Sequence, residues 1–123
     1  MTQRIKTSSA TAENLTKIQN KYHFSTKAAI LRACISVSLR EDRDPLYLLD
    51  DIENKTGFDI SISTLFGDDE VYYKSMIKLK ANKNLVEKEY IDYIIAHIEQ
   101  GMTIIYGAFA TTYSLQSFIE KIA

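Results

Sequence analysis

Two histidines, one cysteine and a few acid clusters are the residues of this 123-residue chain whose types could do chemistry. His97-Ile98-Glu99 has the spacing that opens a zinc-deaminase signature, in which the histidine helps to hold the metal and the glutamate moves the proton. The Pro-Cys-x-x-Cys half of that signature is missing, and the lone Cys34 can build neither a zinc cluster nor an intramolecular disulfide. His97 falls near the apolar side of a helical pattern, where a satisfied core histidine is the plainer reading. Cys34 has no basic residue or helix start beside it, so it reads as a small core residue rather than a nucleophile. Asp50-Asp51 and Asp68-Asp69-Glu70 could hold a cation. The first pair points different ways on a helix, and the second complements a helix dipole. There is no Gly-rich phosphate loop, and a serine nucleophile would have only His23 or His97 as its base. The expectation is a protein that is not an enzyme and takes no cofactor and no metal.

Charge points elsewhere. The net charge of −1 conceals an asymmetry. Residues 1–40 hold Arg4, Lys6, Lys17, Lys21, Lys27, Arg32 and Arg40 against one acid, Glu13, a balance of +6. Residues 41–123 carry a balance of −7. A basic end on an acidic chain calls for an anionic partner, a set of solvated helix faces, or the acidic part of another copy. Residues 100–119 carry no formal charge, yet their threonines, serines, glutamines and glycines are too polar for a membrane span. They read as core or as a subunit interface. Met1 is followed by polar and basic residues rather than an apolar run, which argues against a secretory signal and for a cytoplasmic protein.

The elements that must position these residues are mostly helical. Residues 4–9 alternate as a short strand, with Arg4, Lys6 and Ser8 on one face and Ile5 and Thr7 on the other. Thr11 is the expected cap of a first helix, with Glu13 in its first turn and Leu15, Ile18 and Tyr22 on its apolar side. Lys17 and Lys21 sit four apart on another face, side by side, where a counter-anion would relieve their repulsion. His23-Phe24 breaks this helix. Ser25 or Thr26 caps a second one, running to about Arg40, whose wide apolar stripe marks it as central. Asp44-Pro45 starts a third, bearing Leu46, Leu49 and Ile52 and ended by Gly57. Residues 58–66 are a strand or an extended linker. A helix after Gly67 should bury Val71, Tyr72, Ser75, Met76 and Leu79. The longest helix is expected from Asn84 to Gln100, broken by Gly101 and followed by a stretch interrupted at Gly107. Ser114 caps a last helix with Leu115, Phe118, Ile119 and Ile122 inside. The expected fold class is all-α: one compact helical domain over residues 1–123 with a short N-terminal strand.

The order of basic strand, helix and helix in residues 4–40 resembles a ribbon-helix-helix unit, giving a ribbon-helix-helix-like first half. In that module two strands pair across a dimer and enter the major groove. Arg4, Lys6 and Ser8 would then face DNA, and Ser25, Thr26 and Lys27 would meet a phosphate at a helix start. A more specific resemblance covers nearly the whole chain. Arg4-Ile-Lys-Thr-Ser, Leu15 to Lys21 with Phe24, and Ala28-Ala-Ile-Leu-Arg-Ala carry its first part. Ile62-Ser-Thr-Leu-Phe-Gly67, Ala96-His-Ile-Glu-Gln-Gly101 and Ser114-Leu-Gln-Ser-Phe-Ile119 carry the rest. In this order they resemble the DndE family, the small subunit of the bacterial DNA phosphorothioation (DNA sulfur modification) machinery. The Lys-rich stretch from Lys80 to Lys88 departs from that pattern.

The resemblance implies a helical, oligomeric, DNA-binding subunit without catalysis of its own. Its partners would be the sulfur-handling and ATP-using subunits of a system that replaces a non-bridging phosphate oxygen by sulfur. A homo-oligomer is expected, a tetramer by the resemblance. The candidate contacts to backbone phosphates are Lys17 and Lys21, backed by Arg4, Lys6, Lys27 and Arg32. Two alternatives remain: a ribbon-helix-helix repressor reading bases through Arg4, Lys6 and Ser8, and a protein–protein scaffold whose basic end docks an acidic partner.

Overall fold

The structure, a computed structural model, describes residues 3–49 and 56–123. The fold is mostly helical. Strand β1 (Arg4–Lys6) leads into α1 (Ser9–Tyr22) and α2 (Lys27–Leu39); a 3-10 turn follows at Pro45–Leu48. Strand β2 (Asp59–Ser61) precedes the short α3 (Ile62–Phe66), and α4 (Glu70–Ala81), α5 (Glu87–Ala110) and α6 (Leu115–Ile122) complete the chain.

The strand–helix–helix order stands, and β1 alternates as expected, with Ile5 buried between exposed Arg4 and Lys6. The ribbon, however, forms within the chain. β1 pairs antiparallel with β2 in the register Arg4–Ser61, Ile5–Ile60 and Lys6–Asp59. That edge of β1 is therefore filled by the protein's own β2.

Helix starts are set by hydroxyl caps. Ser8, not Thr11, caps α1: its side chain accepts the Thr11 N–H at 3.1 Å. Thr11 is itself buried, and no acid lies in the first turn. His23 closes α1 in a left-handed conformation, and Thr26, rather than Ser25, caps α2. Asp44 caps as expected, but the element after Pro45 is only a 3-10 turn. Asp50, Asp51 and Ile52 lie outside the described residues.

The centre of the molecule is the packing of α2 along α5. Leu31, Cys34 and Ile35 of α2 and Ile94, Ile98, Met102 and Ile105 of α5 are all buried. Cys34 is thus a core residue, and burial pushes its thiol pKa up, away from the reactive thiolate. Gly101 does not break α5, which runs on through Gly101 and Gly107. A Cβ at Gly101 would lie 1.8 Å from the Cys34 carbonyl oxygen, so this glycine lets the two backbones touch. The uncharged stretch accordingly supplies core: Gly101, Met102, Ile105 and Ala108 are buried.

Two helices face differently from expectation. In α4 the buried side is Ile77, with Tyr73 stacked on Phe66 at 4.8 Å. Val71 and Leu79 are 78% and 73% exposed, and Tyr72 is exposed too. The helix carries apolar residues on both sides, and the side with Tyr73 and Ile77 is the one packed against α3, α5 and α2. Ser114 caps α6 as expected, but only Phe118 is buried there; Leu115 and Ile119 are partly exposed. Among the described residues, no helix is long and apolar enough to cross a membrane.

Candidate nucleic-acid interface

Six of the seven basic residues of the first forty positions fall into two groups; the seventh, Arg40, donates to the Ile122 carbonyl at the end of α6. Arg4, Lys6, Lys27 and Arg32 belong to the ribbon side. Arg4 donates from Nε to the Asp59 carboxylate at 2.9 Å, an exposed pair. Lys6 stands opposite the same Asp59 in the strand register. The Lys27 ammonium lies 5.7 Å from the ring centre of Phe58, next to β2. Arg32 donates to the Leu65 carbonyl at 2.7 Å, satisfying an orphan acceptor near the end of α3. Asp59 thus faces this group, and Arg32 is partly engaged in holding α3.

Lys17 and Lys21 stand on the exposed side of α1, over the second half of α5. Lys17 lies 5.9 Å from the Tyr106 ring and Lys21 lies 5.1 Å from the Phe109 ring. Glu13, one turn before Lys17, reaches it at 3.4 Å, an exposed i,i+4 pair. Tyr106 and Glu13 together hold the Lys17 pKa above its ordinary value. Among the described residues Lys21 has no carboxylate partner; it donates weakly to the Thr112 carbonyl at 3.5 Å.

A further lysine joins this second group from far along the chain. Lys121 of α6 donates to the Thr111 hydroxyl at 2.7 Å. Its ammonium therefore sits at the same α5–α6 corner that Lys21 reaches. No local pattern in the sequence marks Lys121; its place depends on α6 folding back. Tyr22 makes that fold, stacking on Phe118 at 5.2 Å with Phe109 edge-on at 5.7 Å.

The sites suspected of catalysis are occupied by structure. His97 is buried, and its Nδ1 lies 2.7 Å from the Ser38 hydroxyl. The Gln100 amide donates to that same hydroxyl at 2.9 Å. The Ser38 hydroxyl thus accepts the Gln100 N–H and shares a second hydrogen bond with His97 Nδ1, tying α2 to α5 inside the core. Burial holds the His97 pKa down at about 4, against a weaker pull from Asp44. Glu99 points to the other side. Its carboxylate accepts from the Ser8 N–H at 3.2 Å, the Ser8 hydroxyl at 2.7 Å and the Thr11 hydroxyl at 2.9 Å. A carboxylate of the chain itself thus occupies the positive end of α1 and engages Ser8. Among the described residues no group of histidine, cysteine and acidic side chains converges on a metal position.

The profile of the DNA sulphur modification protein DndE matches residues 4–112. The chain belongs to the DndE family. The crystal structure of Escherichia coli B7A DndE, described as involved in DNA phosphorothioation modification, shares this fold with a TM-score of 0.65. The match covers 82% of this chain and 94% of that DndE at 20% identity, so it speaks for the fold. No curated protein matches the chain. The DndE profile ends at Thr112, so the Ser114–Ile119 segment lies beyond its matched span.

Proposed function

We propose that this DndE-family chain is a non-catalytic subunit of the DNA phosphorothioation machinery that holds duplex DNA by its backbone phosphates. The observation that carries the reading is the pairing of Lys17 and Lys21 on the open face of α1, leaning on α5 rings. Of the two, Lys21 has no carboxylate to give up among the described residues, so it is the stronger contact. Arg4, Lys6, Lys27 and Arg32 contribute from the ribbon side, more weakly where Asp59 and the Leu65 carbonyl already engage them. The internal pairing of β1 with β2 favours this reading over a repressor that lays β1 against a second copy. The protein acts with the sulfur-handling and ATP-using subunits of that system. It assembles as a homo-oligomer, a tetramer in the family pattern, for which the exposed Val71, Tyr72 and Leu79 of α4 are suitable surface.

Replacing Lys17 and Lys21 together by Ala tests the interface. Each phosphate contact contributes about 0.9 to the slope of log K against log salt on duplex DNA. The double variant is expected to bind two unrelated duplexes more weakly by the same factor and to flatten the slope by roughly two units. Lys21→Ala alone should account for the larger part of the affinity loss, because Lys17 must give up Glu13 to bind. An unchanged slope removes both lysines from the site; a loss confined to one duplex supports base reading instead. Light scattering on the native protein checks the assembly, which a monomer mass would refute.

A further inference from the structure

Tyr113 is 96% exposed, the most exposed of the large hydrophobic side chains among the described residues. It sits on a firm mount. Thr111, two residues before it, closes α5, and the residue after it, Ser114, caps α6 by accepting the Ser117 N–H at its hydroxyl at 3.1 Å. The two helices are clamped below by the Tyr22, Phe109 and Phe118 rings. Two ammonium groups flank the same turn: Lys21 at the Thr112 carbonyl and Lys121 at the Thr111 hydroxyl. Each uses one donor there and keeps two. Of the nearby acids, Glu13 faces Lys17, and Glu120 accepts from Gln116 at 3.2 Å.

An exposed ring on a turn whose neighbouring residues are contacted by two ammonium groups is an arrangement that can grip an unpaired nucleotide: the ring stacks on the base and the ammonium groups hold its phosphates. A duplex keeps its base faces stacked inside and offers none to such a ring. We infer that Tyr113, with Lys21 and Lys121, forms a stacking site for an unpaired base of single-stranded DNA. The inference rests on the DNA-binding reading above and extends it past the family-matched span.

The chain contains no tryptophan, so Tyr113→Trp places a single indole at the site. Titrating that variant with a short oligothymidylate should quench the indole, and a fully paired duplex of equal length should quench it far less. In anisotropy titrations Tyr113→Ala should weaken oligothymidylate binding at least about five-fold, with Tyr113→Phe unchanged and duplex affinity nearly so. Lys21→Ala with Lys121→Ala should weaken binding to both forms. An unquenched indole with full affinity in Tyr113→Ala overturns the stacking site, while a duplex salt slope that still answers to Lys17 and Lys21 keeps the backbone reading. Loss in Tyr113→Phe equal to that in Tyr113→Ala overturns it too, because the hydroxyl would then be acting. A change of oligomer mass in Tyr113→Ala with unchanged oligothymidylate affinity would assign the ring to self-association. Absence of any DNA binding at low salt refutes the parent reading as well.

Discussion

The two glycines of α5 stand six residues apart and live in opposite surroundings. Gly101 is buried with its backbone against the Cys34 carbonyl, while a Cβ at Gly107 would meet nothing within 4 Å. Six residues turn the helix by roughly 240°, so one glycine faces α2 and the other faces solvent. The same helix therefore has a side built for close approach and a side left open, with Tyr106 and Phe109 bordering the open one. Sequence alone gives both glycines the same meaning, a helix breaker. The structure gives the first a packing role and leaves the second as a plain cost.

The sharpest break in this comparison is Gly101→Ala. The added methyl overlaps backbone, which cannot rotate away, so the helices must separate or shift. A loss of about 3 kcal/mol or more is expected, among the larger effects of single substitutions. Urea denaturation measures it, and a change under about 0.5 kcal/mol would mean that α2 and α5 do not touch there.

Close to Gly101 on the same packed side, His97 adds a dependence on acid. Its pKa is about 4 in the fold against an ordinary 6.5, so the unfolded chain binds the proton more readily. Stability contributed by neutral His97 is complete above pH 6.5 and drains away as the pH falls toward 4. At about 1.4 kcal/mol per unit, that is roughly 3 kcal/mol over the window. Urea midpoints at pH 7, 5.5 and 4.5 should fall more steeply for the native protein than for His97→Gln. Parallel falls would show that other groups govern acid sensitivity.

What was legible in the sequence follows the range of each signal. The Ser114 cap and Cys34 in the core are local matters of spacing and stand as expected; the alternation over residues 4–9 holds only through its first half, because Ser8 already caps α1, and of Ser25 and Thr26 the cap is Thr26. The Glu13–Lys17 pair is equally local, an i,i+4 spacing. Gly101 misled because its reason, the Cys34 carbonyl, lies 67 positions away in the chain. The α4 face misled because Val71, Tyr72 and Leu79 compete with Tyr73 and Ile77, and the choice is made by what α4 packs on, α5, α2 and the Phe66 ring of α3, all distant from its own pattern. At the candidate interface Lys17 and Lys21 were visible as a pair. Lys121 and the charge on Glu99 acquire their positions only through α6 and α1 docking on α5.

On the side of α5 toward α1, the effects should be smaller. Glu99→Gln keeps one acceptor but removes the charge that serves the Ser8 N–H and two hydroxyls at the start of α1. A loss of about 1 kcal/mol is expected, the ordinary worth of a helix cap or a charge at a helix end. Salt should shrink the difference, since the charge is only partly buried. Equal stability at low salt would show that the hydroxyls alone secure α1.

Gly107→Ala is the mildest change and the one that sharpens the contrast most. The site is mid-helix, with room for a methyl and ordinary helical backbone. Glycine there carries an entropic cost in the unfolded state that alanine lacks, so the substitution should stabilise the chain by about 0.5–1 kcal/mol. Thermal melts and urea midpoints should both rise. In the same preparation, duplex affinity reports whether anything approaches the bare backbone between Tyr106 and Phe109. A stabilised variant with native affinity makes Gly107 neutral in binding and leaves contact to the lysines. A stabilised variant that binds DNA more weakly would place a phosphate against the helix at Gly107, where a methyl stands in its way. A destabilised variant would refute the open surroundings themselves and make the two glycines alike after all.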